Sequence, residues 1–221
     1  PCLLLPDTEL YTCWQQGLYH PYAEETLIDL LMRCKATIPL YCRVNRLMRD
    51  IPAPNIVAGS TKSNLRQIVQ HRMREQGLAC RCIRCREIRG EKVDLQTLRL
   101  ETLVYESDVS EEHFLSYVTD EGKLAGFLRL SLPRSKVQAV IEEIQGCAMI
   151  REVHVYGPAL DIAAPSEGAA QHLGLGSRLI EEARRIARQR GFDRLAVIAA
   201  VGTRGYYRRR GFELGKLYMI S

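Results

Sequence analysis

Three sets of residues in this chain have the types and spacing to do chemistry. A glycine-containing turn, Gln171-His172-Leu173-Gly174-Leu175-Gly176, precedes a segment with helical periodicity. A tyrosine pair, Tyr206-Tyr207, follows the next apolar run, and three cysteines lie between positions 80 and 85. The glycine turn suggests an anion cradle, and the cysteines suggest a site for a soft metal ion. The tyrosines could either transfer a proton or pack in the core.

The glycine turn is suited to a phosphate group. Gly174 and Gly176 let the backbone approach a ligand without a Cβ atom in the way, and the helix predicted after them leaves its first amides without acceptors. The turn lacks the third glycine of a dinucleotide fingerprint, and no P-loop lysine follows it. By itself it is equally consistent with a plain tight turn before a helix.

Together the turn and the tyrosines resemble a known family. The segment from Ile150 to Phe212 resembles GNAT-superfamily acetyltransferases, since Q-x-x-G-x-G matches their pyrophosphate loop and Y-Y-x-x-x-G-F a later motif near the thioester. The resemblance implies that acetyl-CoA is held by Gln171, His172, Leu173, Gly174, Leu175, Gly176, Ser177 and Tyr207. It also implies that Tyr207 protonates the departing CoA thiolate and that Tyr206 lines the acetyl pocket. Core packing is the alternative for both tyrosines.

The cysteine cluster predicts a structural zinc site. Cys80-x-Cys82-x-x-Cys85 supplies three thiolates within a short loop, which suits tetrahedral zinc with a fourth ligand from elsewhere. The candidates for that ligand are His71, His113 and His154, and three free thiols in a reduced loop are the alternative.

Charge is distributed unevenly along the chain. Residues 33–90 contain 13 Lys and Arg against three acids, a net charge of +10, while the net charge of the whole chain is +5. Such a block predicts a polyanion-binding surface, with a solvated basic face as the alternative. The candidate RNA-binding residues are Arg43, Arg46, Arg49, Lys62, Arg66, Arg74, Arg81, Arg84 and Arg86. The run Arg208-Arg209-Arg210 would meet either the 3′-phosphate of CoA or RNA.

A narrower resemblance covers most of the chain. The blocks at 46–52, 64–66, 80–87, 151–157 and 201–207 resemble the family of the Elongator catalytic subunit and its bacterial and archaeal counterparts. This implies a radical-SAM domain joined to an acetyltransferase domain, acting on carbon 5 of the tRNA wobble uridine and leading to a carboxymethyl product. The implied partners are tRNA and either a second copy of the chain or Elongator-type subunits.

One feature departs from that family pattern. A radical-SAM [4Fe–4S] cluster needs closely spaced cysteines, whereas Cys2 and Cys13 are far apart and the 80–85 cluster follows the predicted helices. We therefore expect the cluster and S-adenosylmethionine only in a full-length protein that contains the missing part of the radical-SAM domain. We interpret the start of this chain as the cut edge of a longer protein.

The elements that must position these residues predict an α/β protein. Helices are expected at 23–35, with Leu27, Leu30, Leu31 and Cys34 on its apolar face, at 63–76 and at 176–190. Strands are expected at 102–106, 114–118, 124–130, 148–156 and 195–201. The predicted fold is a GNAT-type mixed sheet flanked by helices, preceded by a helical, basic remnant of a radical-SAM domain with a cysteine-rich loop. The expected domains are 1–98 and 99–221.

Composition limits the setting and leaves two other functions open. No apolar run approaches a membrane span, and clustered cysteines favour a reducing, cytoplasmic location. One alternative is a protein lysine or small-molecule N-acetyltransferase, with Glu152 or His154 as the base. The other is a non-catalytic RNA-binding module that retains acetyl-CoA.

Overall fold

The computed structural model describes residues 3–89, 91, 93–135, 138–156 and 174–221. It divides into two compact units, Pro1–Cys85 and Arg86–Ser221. The first unit is helical, and the second is built on a single sheet. These two architectures confirm the predicted α/β class with a helical segment before the sheet.

The first unit has its core between two helices. Its helices are α1 (Glu9–Gln15), α2 (Glu24–Ala36) and α3 (Leu65–Glu75), and α4 (Ile83–Arg86) begins at its end. The buried core residues are Leu27, Ile28, Met32, Leu65, Val69 and Met73. The predicted apolar face of α2 is therefore wrong in part: Ile28, Met32 and Lys35 are buried, whereas Cys34 is exposed. Positions 28, 32 and 35 are spaced so that they share one side of a helix.

The second unit is a seven-stranded mixed sheet. Its elements are β1 (Arg99–Glu106), β2 (Ser110–Val118), β3 (Leu124–Pro133), β4 (Cys147–Val155), α5 (Leu175–Gln189), β5 (Arg194–Val197), α6 (Arg204–Arg208), β6 (Glu213–Leu214) and β7 (Met219–Ile220). The strand order is β1-β2-β3-β4-β5-β7-β6. Only β4 and β5 pair in parallel among the described pairs. The predicted βαβ unit is thus β4-α5-β5.

Helix α5 covers the central strands with its apolar side. Leu179, Ile180, Ala183, Ile186 and Ala187 are all buried against sheet residues, as their spacing predicts. This packing holds the start of α5 at the carboxyl ends of β4 and β5, because the helix returns antiparallel to both strands.

Two boundaries differ from expectation. The strand predicted at 195–201 ends at Val197, and Ile198 is 65% exposed, so the apolar run does not stay in the sheet. The units divide after Cys85, ahead of the predicted domain boundary at 98. The Ile88 amide donates to the Leu124 carbonyl at 3.2 Å, which ties the segment before β1 to the sheet.

Nowhere along the described stretches is a helix both long enough and apolar enough to span a bilayer.

Candidate functional site

The start of α5 has the features of an anion cradle. Gly174 is its N-cap in a left-handed conformation, φ +68°, which favours glycine. The first intrahelical bond runs from the Arg178 amide to the Gly174 carbonyl at 3.1 Å, so the amides before Arg178 have no acceptor in the helix. Among the described residues no side chain caps this end, and its first turn has no acid. These amides and the helix dipole favour a phosphate.

Gly176 makes room for Tyr206. A Cβ atom at position 176 would lie 2.5 Å from the Tyr206 hydroxyl oxygen and 3.7 Å from a Val155 methyl carbon. The glycine in the motif therefore permits a close approach between the helix start, the end of β4 and the tyrosine. The sequence predicts that Gly176 lets the backbone approach a ligand, and the structure adds a neighbouring side chain, Tyr206, that also needs the space.

Arg210 connects α6 to the start of α5. Its Nε donates to the Ser177 hydroxyl at 3.0 Å, and its Nη1 donates to the Tyr206 carbonyl at 2.7 Å. Its guanidinium carbon lies 3.4 Å from the centre of the Tyr206 ring. Arg210 is thus engaged within the protein and holds Tyr206 beside Ser177. From the sequence, Arg210 was expected to contact either the 3′-phosphate of CoA or RNA.

The two tyrosines occupy different environments. Tyr207 is 8% exposed and packs edge-on against Phe212, with ring centres 5.5 Å apart, whereas Tyr206 is partly buried beside the helix start. Burial raises the pKa of Tyr207, and the neighbouring Tyr206 adds to the rise. Burial also raises the pKa of Tyr206, opposed by the Arg210 charge and by the hydrogen bond to Ser177. Both phenols therefore remain protonated at neutral pH.

Strands β4 and β5 part beside this helix start. Their pairing extends only from Cys147–Arg194 to Ile150–Val197, yet β4 continues to Val155 along β3. The register shifts where Arg129 and Leu130 face β4, so Arg151 forms a bulge. The opening between the strands lies at their carboxyl ends, where a ligand bound at the start of α5 would extend.

The predicted cysteine cluster is assembled in the first unit. The sulfur atoms of Cys80, Cys82 and Cys85 lie within 4.8 Å of one another, and no further ligand group joins them among the described residues. Hydrogen bonds from Cys80 and Cys85 lower the pKa of the Cys82 thiol. Hydrogen bonds with Cys80 and Cys82 raise the pKa of the Cys85 thiol. Three converging sulfur atoms, as thiolates, fit a soft metal ion.

Two further side chains approach these thiols and were missed from the sequence. The Lys35 Nζ lies 3.8 Å from the Cys85 sulfur, and the lysine is only 1% exposed. The Gln70 Nε2 donates to the same sulfur at 3.3 Å. The helical spacing of Lys35 from Ile28 and Met32 could have shown from the sequence that Lys35 lies on the buried side of α2. Its positive charge would offset the net −1 of zinc with three thiolates.

The histidines proposed as a fourth ligand have other surroundings. His71 is exposed, and its Nε2 lies 3.2 Å from a Glu75 carboxylate oxygen. In the second unit, His113 is buried with its Nε2 2.6 Å from Glu111, and His154 is exposed with its ring against Tyr156.

The candidate RNA-binding residues separate into two groups. Lys62 pairs with Glu24 at 3.0 Å, so its charge is neutralised within the protein, and Arg43 donates to the Asn45 side chain at 3.0 Å. Arg46, Arg49, Arg74 and Arg81 are exposed, with Arg46 3.7 Å from Asp50, while Arg66, Arg84 and Arg86 are half-buried. The candidate residues therefore differ in how far their side chains are open to a polyanion.

Two remaining predictions concern β4 and the segment before α5. Glu152, a candidate base, accepts a hydrogen bond from Arg129 Nε at 2.9 Å, so its carboxylate is already paired. Gln171, His172 and Leu173 lie outside the described residues, so only Gly174 to Ser177 of the predicted turn has a described geometry.

Comparison with known families shows the class of the second unit. The acetyltransferase (GNAT) family matches residues 83–212, which include strands β1 to β5, α5 and α6. The chain belongs to the GNAT family. The predicted resemblance is thus confirmed, and the second unit has an acyltransferase fold. The Radical_SAM C-terminal domain family matches residues 1–75, in the helical unit.

Relatives extend the similarity over both units of this GNAT protein. It is 39% identical to Elongator complex protein 3 of Danio rerio over 228 residues, covering 100% of this chain and 41% of the relative. It is 37% identical to the tRNA uridine(34) acetyltransferase of Methanocaldococcus jannaschii, covering 99% of this chain and 42% of the relative. The chain thus spans about two fifths of the length of these relatives, and the resemblance to the Elongator family is confirmed.

A solved structure supports the same conclusion. The archaeal Methanocaldococcus infernus Elp3 with an N-terminal deletion superposes with a TM-score of 0.88 at 36% identity. The match covers 100% of this chain and 54% of that chain.

Proposed function

We propose that this chain binds acetyl-CoA at the start of α5 and supplies the acetyl group to a tRNA uridine-modifying reaction. The observation that carries the proposal is the uncapped start of α5, closed on one side by Tyr206, Ser177 and Arg210. The amides of Gly174 to Ser177 would hold the pyrophosphate, together with Gln171, His172 and Leu173. The tRNA part rests on the names of the relatives and on the basic block.

The partial reaction open to this chain is hydrolysis of the thioester. The water oxygen bonds to the acetyl carbonyl carbon, and the carbon–sulfur bond breaks. The attacking water releases one proton to solvent and leaves as part of acetic acid. The CoA thiolate takes a proton from the Tyr207 hydroxyl, and solvent then returns a proton to Tyr207. A phenol whose pKa is raised by burial is protonated at neutral pH and suits this role. In the whole protein the acetyl group would serve carboxymethylation at carbon 5 of the wobble uridine.

The experiment is release of free CoA from acetyl-CoA by the 221-residue chain, with and without tRNA at low salt. We expect saturable binding of acetyl-CoA and a hydrolysis rate that changes when tRNA is added. Desulfo-CoA, which lacks the thioester, should compete for the site. If acetyl-CoA fails to bind, the whole proposal is wrong. If it binds but tRNA neither binds nor alters turnover, only the tRNA part is wrong.

We also propose that Cys80, Cys82 and Cys85 hold a structural zinc ion. The grouping of the three sulfurs within 4.8 Å favours this, and so does the buried Lys35 beside Cys85. Zinc would tie the loop before α4 to α2 and α3, from which Lys35 and Gln70 approach. It would thereby stabilise the unit that carries most of the basic block at residues 33–90.

A further inference from the structure

A polar cleft of about 220 Å³ lies within the first unit. The loop that follows Val44, the start of α3 and one residue of α4 form its walls. Three arginines line it: Arg46 from the loop, Arg66 from α3 and Arg84 from α4. Residues far apart in sequence thus bring three guanidinium groups to one place. We call this the arginine cleft.

Two of the three arginines are held in place by the backbone. The Arg66 Nη2 donates to the Val44 carbonyl at 2.7 Å, and the Arg84 Nη1 donates to the Asn45 carbonyl. Each bond uses one donor of a five-donor group and fixes its orientation. The remaining donors are preorganised for a ligand that accepts several hydrogen bonds.

Arg66 also has a donor that nothing satisfies. Its Nη1 is buried and has no acceptor among the described residues. A buried donor without a partner is costly, and an acceptor that enters the cleft would remove that cost. This orphaned donor points to a ligand with oxygen acceptors.

The charge of the cleft selects an anion. Asp50 is the one acid in the lining; it lies 3.7 Å from Arg46 and is 92% exposed. Three cations against one acid leave a net positive lining. By contrast, Arg72 on the other side of α3 is paired with Glu25 at 3.0 Å. The cleft therefore keeps a net positive charge, whereas the positive charge of Arg72 is neutralised by Glu25.

We propose that the arginine cleft is a subsite for one phosphodiester group of an RNA strand. Guanidinium groups donate in a planar fork that matches phosphate oxygens, and three such groups can share one phosphate. The inference rests on the proposed function, in which RNA is the substrate, and it adds where that substrate is held. The arginine cleft lies in the first unit, and the start of α5 belongs to the second.

The test is a double-mutant cycle on RNA binding. The 221-residue chain is titrated with a labelled anticodon stem-loop RNA, and fluorescence anisotropy is recorded over a range of salt concentrations. The variants are Arg46→Gln, Arg66→Gln and both together. The matched control is Arg74→Gln, which removes one exposed positive charge from α3 outside the cleft. Thermal unfolding of each variant monitors the fold.

We expect Arg46→Gln and Arg66→Gln each to weaken binding about tenfold and to lower the salt slope by about 0.7–0.9. The double variant should lose at least threefold less than the product of the single losses, because both side chains serve one phosphate. Arg74→Gln should weaken binding less and combine with either change multiplicatively. If Arg66→Gln unfolds, Arg46→Gln with Arg84→Gln completes the same cycle.

Two results would overturn the inference in different ways. If RNA binds but all arginine variants lose affinity equally and multiplicatively, the basic surface is diffuse and only the arginine cleft is wrong. If wild-type protein does not bind RNA at low salt, the RNA part of the proposed function fails as well. A third result is tested with inorganic phosphate at constant ionic strength. If phosphate raises the thermal unfolding temperature of the chain as much as RNA does, and the cleft variants lose this effect, the cleft binds free phosphate and the RNA subsite is wrong.

Discussion

Tyr207 shows how one residue can combine packing with a chemical role. Its ring is part of the core between α5, α6 and the sheet, while Tyr206 beside it reaches the helix start. Because burial raises the pKa of Tyr207, its proton is retained above the ordinary value of about 10.

We predict that Tyr207→Phe lowers the kcat of acetyl-CoA hydrolysis about 100-fold, the lower range for loss of a general acid. Acetyl-CoA affinity should change little, since the ring remains. Tyr218→Phe, a tyrosine outside α6, is the matched control and should keep the wild-type rate. Because the pKa of Tyr207 is raised, the rate of acetyl-CoA hydrolysis by the wild type should not decline as the pH rises to about 10. A decline with an apparent pKa near 8 would assign the acid role to another group.

Gly176 is the second residue whose role depends on its neighbours. Gly176→Ala places a methyl group against the Tyr206 hydroxyl, and we predict that acetyl-CoA affinity falls about tenfold because the helix start must shift. Gly202→Ala, where a Cβ atom meets nothing within 4 Å, is the control. Isothermal titration calorimetry measures both.

A second substitution tests whether the clash with the Tyr206 hydroxyl causes the loss of affinity in Gly176→Ala. Adding Tyr206→Phe removes the oxygen that lies 2.5 Å away and leaves a ring carbon at 3.6 Å. The double variant should therefore bind acetyl-CoA more tightly than Gly176→Ala alone. If it binds more weakly, the loss in Gly176→Ala comes from direct contact with the ligand.

At the scale of elements, the thiol cluster joins three helices of the first unit. Lys35 comes from α2, Gln70 from α3 and Cys85 from α4. None of these helices is long, and α4 has only 4 residues. A metal at this point would contribute more to stability than the propensity of such short helices.

We predict about one zinc ion per chain by elemental analysis, lost in Cys82→Ala and kept in Cys34→Ala, which changes an exposed cysteine of α2. Lys35→Met should keep the fold but weaken zinc binding about 10- to 100-fold in competition with a chelator, as loss of a neighbouring contact does at other metal sites. Equal zinc content in the Cys82 and Cys34 variants would contradict the site.

The whole molecule consists of two units with separate cores and separate candidate ligands. Most of the basic block and the three thiols belong to the first, and the proposed acetyl-CoA cradle belongs to the second. The two families that match the chain divide it in nearly the same way. This organisation predicts that acetyl-CoA and zinc each protect a different set of backbone amides from exchange.

Hydrogen exchange read by mass spectrometry tests that prediction. Acetyl-CoA should slow amide exchange at the start of α5 and in α6 by at least tenfold, while α2 and α3 stay unchanged. A zinc chelator should speed exchange in α3 and α4 and leave α5 unchanged. If acetyl-CoA protects α3 as strongly as α5, its site is not confined to the cradle.

Much of this protein follows from sequence alone. The long elements were predictable because their apolar residues repeat with the period of a helix or strand, as in α5 and β3. The motif at 171–176 predicts an anion cradle, of which the structure describes Gly174 to Gly176. The spacing of Cys80, Cys82 and Cys85 predicts the thiol cluster, since short spacings bring side chains together. The strand predicted at 195–201 exists but ends at Val197, because apolar residues also occur where the chain leaves a sheet.

Only the tertiary structure decided which distant residues meet. It placed Arg210 on Ser177 and Tyr206, Lys35 beside Cys85, and Arg46, Arg66 and Arg84 around one cleft. No local pattern encodes these contacts, because a polar side chain chooses its partner after the core has packed and positioned the elements. Sequence therefore determined the kinds of site that we propose for this protein, whereas the packing of its helices and sheet determined which side chains lie beside each one.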